Sequence, residues 1–168
     1  MRKAALVMGL LMLWLIVDPG LWSQDNDSAK LAKAVAEAKV SLEQGLSASA
    51  QVGKPISAKF EIEDGELQLS VYAAKGDSFA EVIVDPNTGK VARTEPTTSG
   101  QDFTVARAQS EVMAKAKQPL RVTLATVLKG NPGFHAVSIY PVLKDGHPVA
   151  EVTLAMGDKW KTVLEKLD

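Results

Sequence analysis

The most constraining feature of this 168-residue sequence is a pattern that occurs twice, at a spacing of 81 residues. Two pairs of segments match at this spacing: Gly76–Ile83 with Gly157–Leu164, and Asp64–Gly65 with Asp145–Gly146. A third pair, Ser41–Leu46 with Thr123–Leu128, matches at a spacing of 82 residues. A repeat of this length indicates that one supersecondary unit was duplicated. We therefore expect two small lobes that share an interface, because a core of roughly 60–80 residues is marginal alone.

The N-terminus has the layout of a secretory signal peptide. Arg2 and Lys3 precede an uncharged apolar run, Ala4–Val17, and a break at Asp18–Gly20 comes next. This order of charge, apolar run and polar stretch predicts a signal peptide over residues 1–23. The run is shorter than the ~20 residues of a spanning helix. An uncleaved anchor formed by residues 4–17 is the alternative.

Composition excludes several classes of function. A net charge of -1 gives no basic footprint for nucleic acid. The chain has no cysteine, which rules out disulfides, thiolate catalysis, Cys-ligated zinc and lipid attachment through a thiol. An exported protein of this kind depends on its packed core for stability.

Helical periodicity occurs in both halves. Apolar residues at three- and four-residue spacings predict a helix from Ser28 to about residue 51, with Asp27 or Ser28 as its N-cap. Ser41 is an alternative start for a second helix, because Ser41–Gln44 fits a capping box. The second half predicts helices over residues 104–117 and 121–129, with a break at Pro119.

Alternating apolar residues predict strands after each helical region. In the first half the expected strands are 56–62, 67–72, 79–84 and 90–94; in the second half they are 136–143, 149–155 and 159–167. Asp64–Gly65 and Asp145–Gly146 predict tight hairpin turns, since Asp-Gly supplies the positive φ values of a type I′ turn. Spacing alone allows either strand or helix for the last segment, and the repeat favours strand. Residues 95–102 have no apolar period and are the expected linker.

The first half resembles a PepSY domain. The most specific match is Glu81–Val91, which is similar to the "V-V-D-x-x-T-G-K-V" hairpin that closes such domains; the helix at Ser41–Leu46 and the strands Ile56–Ile62 and Leu67–Tyr72 also match. The second half matches more loosely, and it lacks the Asp-x-x-Thr-Gly-Lys turn. Its matching segments are Thr123–Ala125, Asp145–Gly146 and Val149–Leu154.

The resemblance implies an α+β fold with two tandem helix-plus-antiparallel-sheet (PepSY-like) units after the signal segment. The expected layout is signal peptide 1–23, first unit 28–94, linker 95–102 and second unit 103–168. Domains of this family occur in exported or membrane-anchored bacterial proteins, among them propeptides of thermolysin-like metallopeptidases, where they have been proposed to restrain the peptidase. The family has no catalytic residues that could be carried over.

The residues themselves favour no catalytic or metal site. His135 and His147 are expected at opposite ends of one hairpin strand, too far apart to share a metal ion. An acidic group at the first hairpin supplies oxygens of the kind that Ca²⁺ binds, but a solvated acidic edge that discourages aggregation is the favoured interpretation. The acidic residues are Glu61, Glu63, Asp64, Glu66, Glu81 and Asp85. No nucleophile with an adjacent base is recognisable.

Three aromatic residues of the second half, Phe134, Tyr140 and Trp160, could line an exposed groove for a partner. The favoured interpretation is that Trp160 fills the core position that Phe79 fills in the first half.

These observations predict an exported, periplasmic or secreted, non-enzymatic binding or regulatory protein without a cofactor. Its expected partner is a protein, such as an exported peptidase or another envelope protein, docked against sheet edges or hairpin tips. We expect no nucleic-acid partner, and membrane contact only through an uncleaved N-terminal segment. The alternatives are a structural or assembly component of the envelope held by that anchor, and a small-ligand or metal-binding domain.

Overall fold

The computed structural model describes residues 20–168, with side chains from Asn26 onward. The predicted signal peptide and anchor therefore lie outside the described residues, apart from residues 20–23 at the start of the first helix. Four helices are described: α1 Gly20–Glu37, α2 Leu42–Ser49, α3 Gly100–Lys115 and α4 Leu120–Lys129. Seven strands are described: β1 Lys54–Glu63, β2 Glu66–Lys75, β3 Ser78–Val84, β4 Val91–Thr97, β5 His135–Lys144, β6 His147–Met156 and β7 Lys159–Lys166.

All seven strands belong to one antiparallel sheet with the order β4-β3-β2-β1-β5-β6-β7. The predicted α+β class and antiparallel pairing are confirmed. The two halves are joined directly, because β1 pairs with β5 through Ala58–Ile139 and Lys59–Ser138 and makes the sheet continuous. One buried apolar cluster draws residues from both halves, so the two halves share a single core.

Backbone irregularities recur at the 81-residue spacing. The register of β1 with β2 shifts between Pro55 and Ser57, and that of β5 with β6 shifts between Ala136 and Ser138. Asp64 and Asp145 have positive φ values of 51° and 52°, and the glycine after each is also positive. These values confirm the predicted I′-type hairpin turns. The two hairpins consequently share both their turn geometry and the position of their bulge.

Helices α2 and α4 contact each other and cover one face of the sheet, which we call the core face. Both bury residues at positions i, i+3, i+4 and i+7, as an amphipathic helix does. The buried residues are Leu42, Gly45, Leu46 and Ser49 in α2, and Leu120, Thr123, Leu124 and Val127 in α4. The buried positions thus match at a spacing of 78, which corrects the alignment of Ser41–Leu46 with Thr123–Leu128.

The start of α2 confirms one predicted cap and excludes another. The Ser41 hydroxyl accepts the Gln44 N–H, and the Gln44 side chain accepts the Ser41 N–H, which completes the capping box. The prediction of an N-cap at Asp27 or Ser28 is wrong, because α1 already begins at Gly20. No proline or glycine interrupts the segment after Gly20, so the helix extends further toward the N-terminus than its apolar stripe.

The predicted linker is mostly structured. β4 continues to Thr97 and α3 begins at Gly100, so only Thr98 and Ser99 connect them. Exposed edge strands such as β4 carry little apolar periodicity, which explains why the pattern of residues 95–97 gave no strand signal. The last segment is a strand, as the repeat predicted.

Candidate functional surfaces

Strand alternation places polar side chains on the face of the sheet opposite α2 and α4, which we call the polar face. Lys59 and Glu61 alternate with the buried Ala58 and Phe60 along β1. Helix α3 packs on part of this face, where the rings of Phe103 and Phe79 make an edge contact at 5.5 Å. The rest of the face is left for polar contacts.

A cavity of about 130 Å³ lies between α3 and the polar face. We call it the polar cavity. Its lining comes from β1, β2, β5 and α3: Ser57, Ala58, Lys59, Tyr72, Asp102, Val105, Gln109 and Tyr140. Because β1 and β5 are the central strands, the polar cavity lies where the two halves of the sheet join.

A hydrogen-bonded chain runs beside the cavity. The Lys59 ammonium lies 2.5 Å from Glu61 Oε2, the Ser70 hydroxyl donates to Glu61 Oε1 at 3.1 Å, and Gln68 donates to Ser70 Oγ at 3.2 Å. Partial burial alone would lower the pKa of Lys59, but the hydrogen bond and charge of Glu61 outweigh it, and the pKa is raised. Lys59 therefore stays a cation paired to Glu61.

Two tyrosines of the cavity are held in the neutral form. Burial, followed by the negative charge of Glu81, raises the pKa of Tyr72 to about 12. Burial also raises the pKa of Tyr140, although nearby Lys59 opposes this. The raised pKa values keep both phenols neutral, and so able to donate a hydrogen bond, to a higher pH than an exposed tyrosine.

Ser57 adds an unsatisfied polar atom to this lining. Its side chain is 1% exposed, and its hydroxyl is one of two buried side-chain polar atoms without a partner among the described residues, the other being Thr123 Oγ1. Such a group costs about 1–3 kcal/mol relative to a paired one. Ser57 lies next to the bulge in β1, and bulges change the direction of nearby side chains. Sequence reasoning missed this cavity, since polar residues at alternate positions of β1 indicate solvent exposure. The polar residues Ser70 and Tyr72, at alternate positions of β2, were the available sequence signal for it.

The predicted acidic group is divided between two places. Glu63, Asp64, Glu66 and Asp85 line an open depression of about 550 Å³ at the hairpin tips, together with Arg93. Glu61 pairs instead with Lys59, and Glu81 lies opposite Tyr72.

The depression is better explained by turn chemistry than by ion binding. Asp85 Oδ1 accepts the N–H groups of Asn87 and Thr88 at 2.7 and 3.0 Å, which lowers the pKa of that carboxyl. Among the side chains described from Asn26 onward, no three His, Cys, Asp or Glu residues are grouped to hold a metal ion.

The two histidines are far apart along the β5–β6 hairpin. His135 pairs with Ala155 at its open end, whereas His147 pairs with Lys144 beside the turn. Both are exposed. His147 Nδ1 lies 3.0 Å from Asp168 Oδ2, and this hydrogen bond lowers the pKa of Asp168.

The three candidate aromatic residues do not form one groove. Phe134 packs against the core, with the Lys161 ammonium 4.1 Å from its ring centre. Tyr140 lines the polar cavity. Trp160 is half-buried against the core and faces Leu31 and Ile62 across a separate depression.

The two ends of the sheet differ in their backbone groups. In an antiparallel pair, alternate residues bond to the neighbouring strand and the others point away. Leu167 N–H donates to Pro148 O at 3.0 Å, and the β6–β7 register continues from there without a shift. The even-numbered residues from Trp160 to Lys166 therefore direct both N–H and C=O outward, and we call this side of the strand the β7 edge.

The other end of the sheet is blunted. Pro96 of β4 lies opposite Ala80, and the pairing of β3 with β4 has no shift there. Proline has no N–H to donate, so this position of β4 is one whose backbone groups point away from β3. Arg93 and Glu95 form an ion pair at 2.7 Å beside it. Proline and charge are common protections of edge strands. Of the two edge strands that the structure describes, β4 lacks one outward N–H at Pro96, whereas the β7 edge has an outward donor and acceptor at each alternate position.

Comparison with known proteins adds little to this geometry. No protein-family model and no curated protein matches the chain. A solved structure of a putative lipoprotein from Clostridium difficile is similar with a TM-score of 0.42 and 10% identity, covering 71% of this chain and 79% of that chain. Between residues 20 and 168, no helix combines the length and apolar character needed to cross a bilayer.

Proposed function

We propose that this chain is an exported, non-enzymatic binding or regulatory protein that docks on a protein partner, such as an exported peptidase or another envelope protein. The observation that carries the proposal is the β7 edge, where four alternate positions direct outward backbone groups that no described residue pairs with. Unpaired edge groups are a common means of protein recognition. The segment pattern of residues 1–23 supports export.

The resemblance to PepSY domains supports the regulatory part of the proposal. We interpret the 81-residue spacing as two tandem PepSY-like units, and Asp85–Lys90 as the closing turn of the first. Restraint of a peptidase would then work by occlusion: the docked sheet covers the partner's substrate-binding surface. This mechanism requires no catalytic group in the chain itself.

The test is site-specific photo-cross-linking of the full-length chain in its cell of origin. A photoreactive residue at Thr162 is expected to form adducts with one exported protein, and a matched residue at Thr94 on β4 is not. If the adduct is a peptidase, addition of the purified chain should inhibit it. Failure to cross-link any exported protein from either edge or from a hairpin-tip position such as Glu66 would overturn the proposal.

N-terminal sequencing of the exported protein separates this function from an anchored structural role. A chain that begins near residue 24 supports a free docking protein. An intact N-terminus in the membrane fraction supports the envelope component held by residues 4–17.

A second candidate function is binding of a small polar molecule in the polar cavity. The favouring observation is the Ser57 hydroxyl, which is buried beside two tyrosines and has no partner within the part of the chain that the structure describes. Native mass spectrometry of the full chain should then detect a bound molecule that is lost in Tyr72→Phe. The surface variant Thr94→Ala, which lies outside the cavity, should retain it.

A further inference from the structure

We propose that the β7 edge binds an extended acidic segment of the partner protein as an eighth, antiparallel strand, in the register that β4 adopts on β3. This inference rests on the proposed function, because the segment belongs to the docked protein. It specifies which strand is used, in which direction, and what chemistry the partner supplies.

The first half of the molecule contains the same kind of strand pairing. Phe79 of β3 lies opposite Ala74 of β2, and Trp160 of β7 lies opposite Ala155 of β6, so the two strands hold equivalent places at a spacing of 81 residues. β3 is covered by β4 over Phe79 to Val84. No described strand covers β7. The β7 edge therefore corresponds to a position that the first half of the molecule fills with a strand.

The outward backbone groups of β7 occur at the same alternate positions as the groups of β3 that bond to β4. Trp160, Thr162 and Leu164 direct their backbone groups outward, and their equivalents Phe79, Glu81 and Ile83 are the β3 residues that face β4. A guest strand placed on β7 as β4 is placed on β3 would thus meet donors and acceptors in the same alternation. Such a strand would also cover Leu164, which is 43% exposed.

Charge indicates the chemistry of the guest strand. β7 carries three lysines and one glutamate. Lys161 donates to Asn131, so the lysines open to a guest are Lys159 and Lys166, which are exposed at the two ends of the strand. Acidic side chains at both ends of the guest would pair with these lysines, and an apolar side chain opposite Leu164 would cover its exposed surface.

The same lysines argue against a second copy of this chain as the occupant. Exposed lysines on an edge strand oppose self-pairing, because two identical edges bring like charges together. The charge pattern therefore favours an acidic partner over a homodimer.

The experiment uses the full chain and a synthetic peptide of eight residues with glutamate at both ends and alternating threonine and valine between them. We expect saturable binding, detected by fluorescence anisotropy of the labelled peptide, with protection of the β7 amide hydrogens from exchange. Replacing both terminal glutamates by lysine should weaken binding at least tenfold. Equal binding of the acidic and basic peptides would overturn the charge assignment.

Thr162→Pro is the decisive variant, since it removes an outward N–H without breaking a bond to β6, as Pro96 does on β4. It should weaken peptide binding at least tenfold, whereas the matched variant Thr94→Pro on β4 should leave binding unchanged. Circular dichroism confirms that both variants are folded. If Thr162→Pro fails to fold, Thr162 methylated at its backbone nitrogen by chemical ligation removes the same donor.

Other outcomes distinguish this site from the proposed function. The acidic-strand assignment would be overturned if Thr162→Pro left peptide binding unchanged. It would also be overturned if ultracentrifugation showed a concentration-dependent dimer that Thr162→Pro abolishes. If the chain still cross-links an exported protein in that case, the docking function stands and only the β7 site is wrong. Peptide binding without any exported partner would overturn the docking function instead.

Discussion

β3 and β7 occupy equivalent places in the two halves of the molecule, but their surroundings differ. Ile83 of β3 is 7% exposed, whereas its equivalent Leu164 of β7 is 43% exposed. Phe79 is buried against Phe103, whereas Trp160 is half-buried. The backbone pairing to the inner strand is the same in both. The difference shows how the exposure of equivalent strands depends on whether a described strand lies beside them, as β4 lies beside β3.

The largest expected effect is on stability, in a test that compares the aromatic residues Phe79 and Trp160. Phe79→Ala should reduce the free energy of unfolding by about 3–5 kcal/mol, because it leaves a cavity beside Phe103. Trp160→Ala should cost roughly half as much, since part of its side chain is already in water. Urea denaturation followed by circular dichroism measures both. Equal losses would show that the two positions are buried alike and break the comparison.

A second test compares α2 with α4. A Cβ at Gly45 would lie 2.6 Å from Leu69 Cδ2, and Leu69 is fully buried, so Gly45→Ala should destabilise the protein by about 1–3 kcal/mol. The corresponding α4 residue, Thr123, already has a Cβ and carries a hydroxyl without a partner among the described residues. Thr123→Ala should therefore change stability by less than Gly45→Ala, as urea denaturation would measure. The reverse order would mean that α2 has room to move away from the sheet.

A third test compares two serines at helix starts. Ser41→Ala removes the side-chain bond on which the capping box depends and should cost about 1 kcal/mol. Ser99 precedes α3 without a side-chain cap bond, so Ser99→Ala should be close to neutral. Thermal unfolding of the two variants against the parent protein measures the difference. A similar loss in both would indicate that serine acts at these positions through something other than capping.

The smallest effect concerns two exposed carboxyls. The Asn87 and Thr88 N–H groups lower the pKa of Asp85, and the hydrogen bond with His147 lowers that of Asp168, both from the ordinary value of 3.8. A lowered folded-state pKa means that each contribution is present above about pH 4 and is lost as pH falls through the lowered value. Carboxyl NMR titration should show that His147→Ala restores the pKa of Asp168 and leaves Asp85 unchanged. A shift of Asp85 in that variant would contradict the local origin of its lowered pKa.

Much of the fold could be predicted from the residues alone. Alternation located the strands, Asp-Gly pairs located the hairpin turns, and Ser41–Gln44 located the start of α2. These signals are local, since each depends on residues within one turn or strand. The pairing of β1 with β5 is not local, and no pattern within either half indicates it. For that reason the residue patterns alone do not predict how the two lobes join.

The candidate surfaces were harder to predict. The polar cavity depends on where α3 lies, and a helix that packs on polar side chains gives a weak apolar stripe. The β7 edge depends on the absence of a covering strand among the described residues.

The short β1–β5 pairing has a consequence for how the chain reaches this structure. Its partners, Ala58 and Ile139, are separated by 81 positions, whereas every other strand pair joins neighbours in the sequence. Hairpin contacts close small loops, and this contact closes a large one at a greater entropic cost. Contacts between distant residues slow folding. We therefore expect the two meanders to form first and their union along β1 and β5 to set the folding rate.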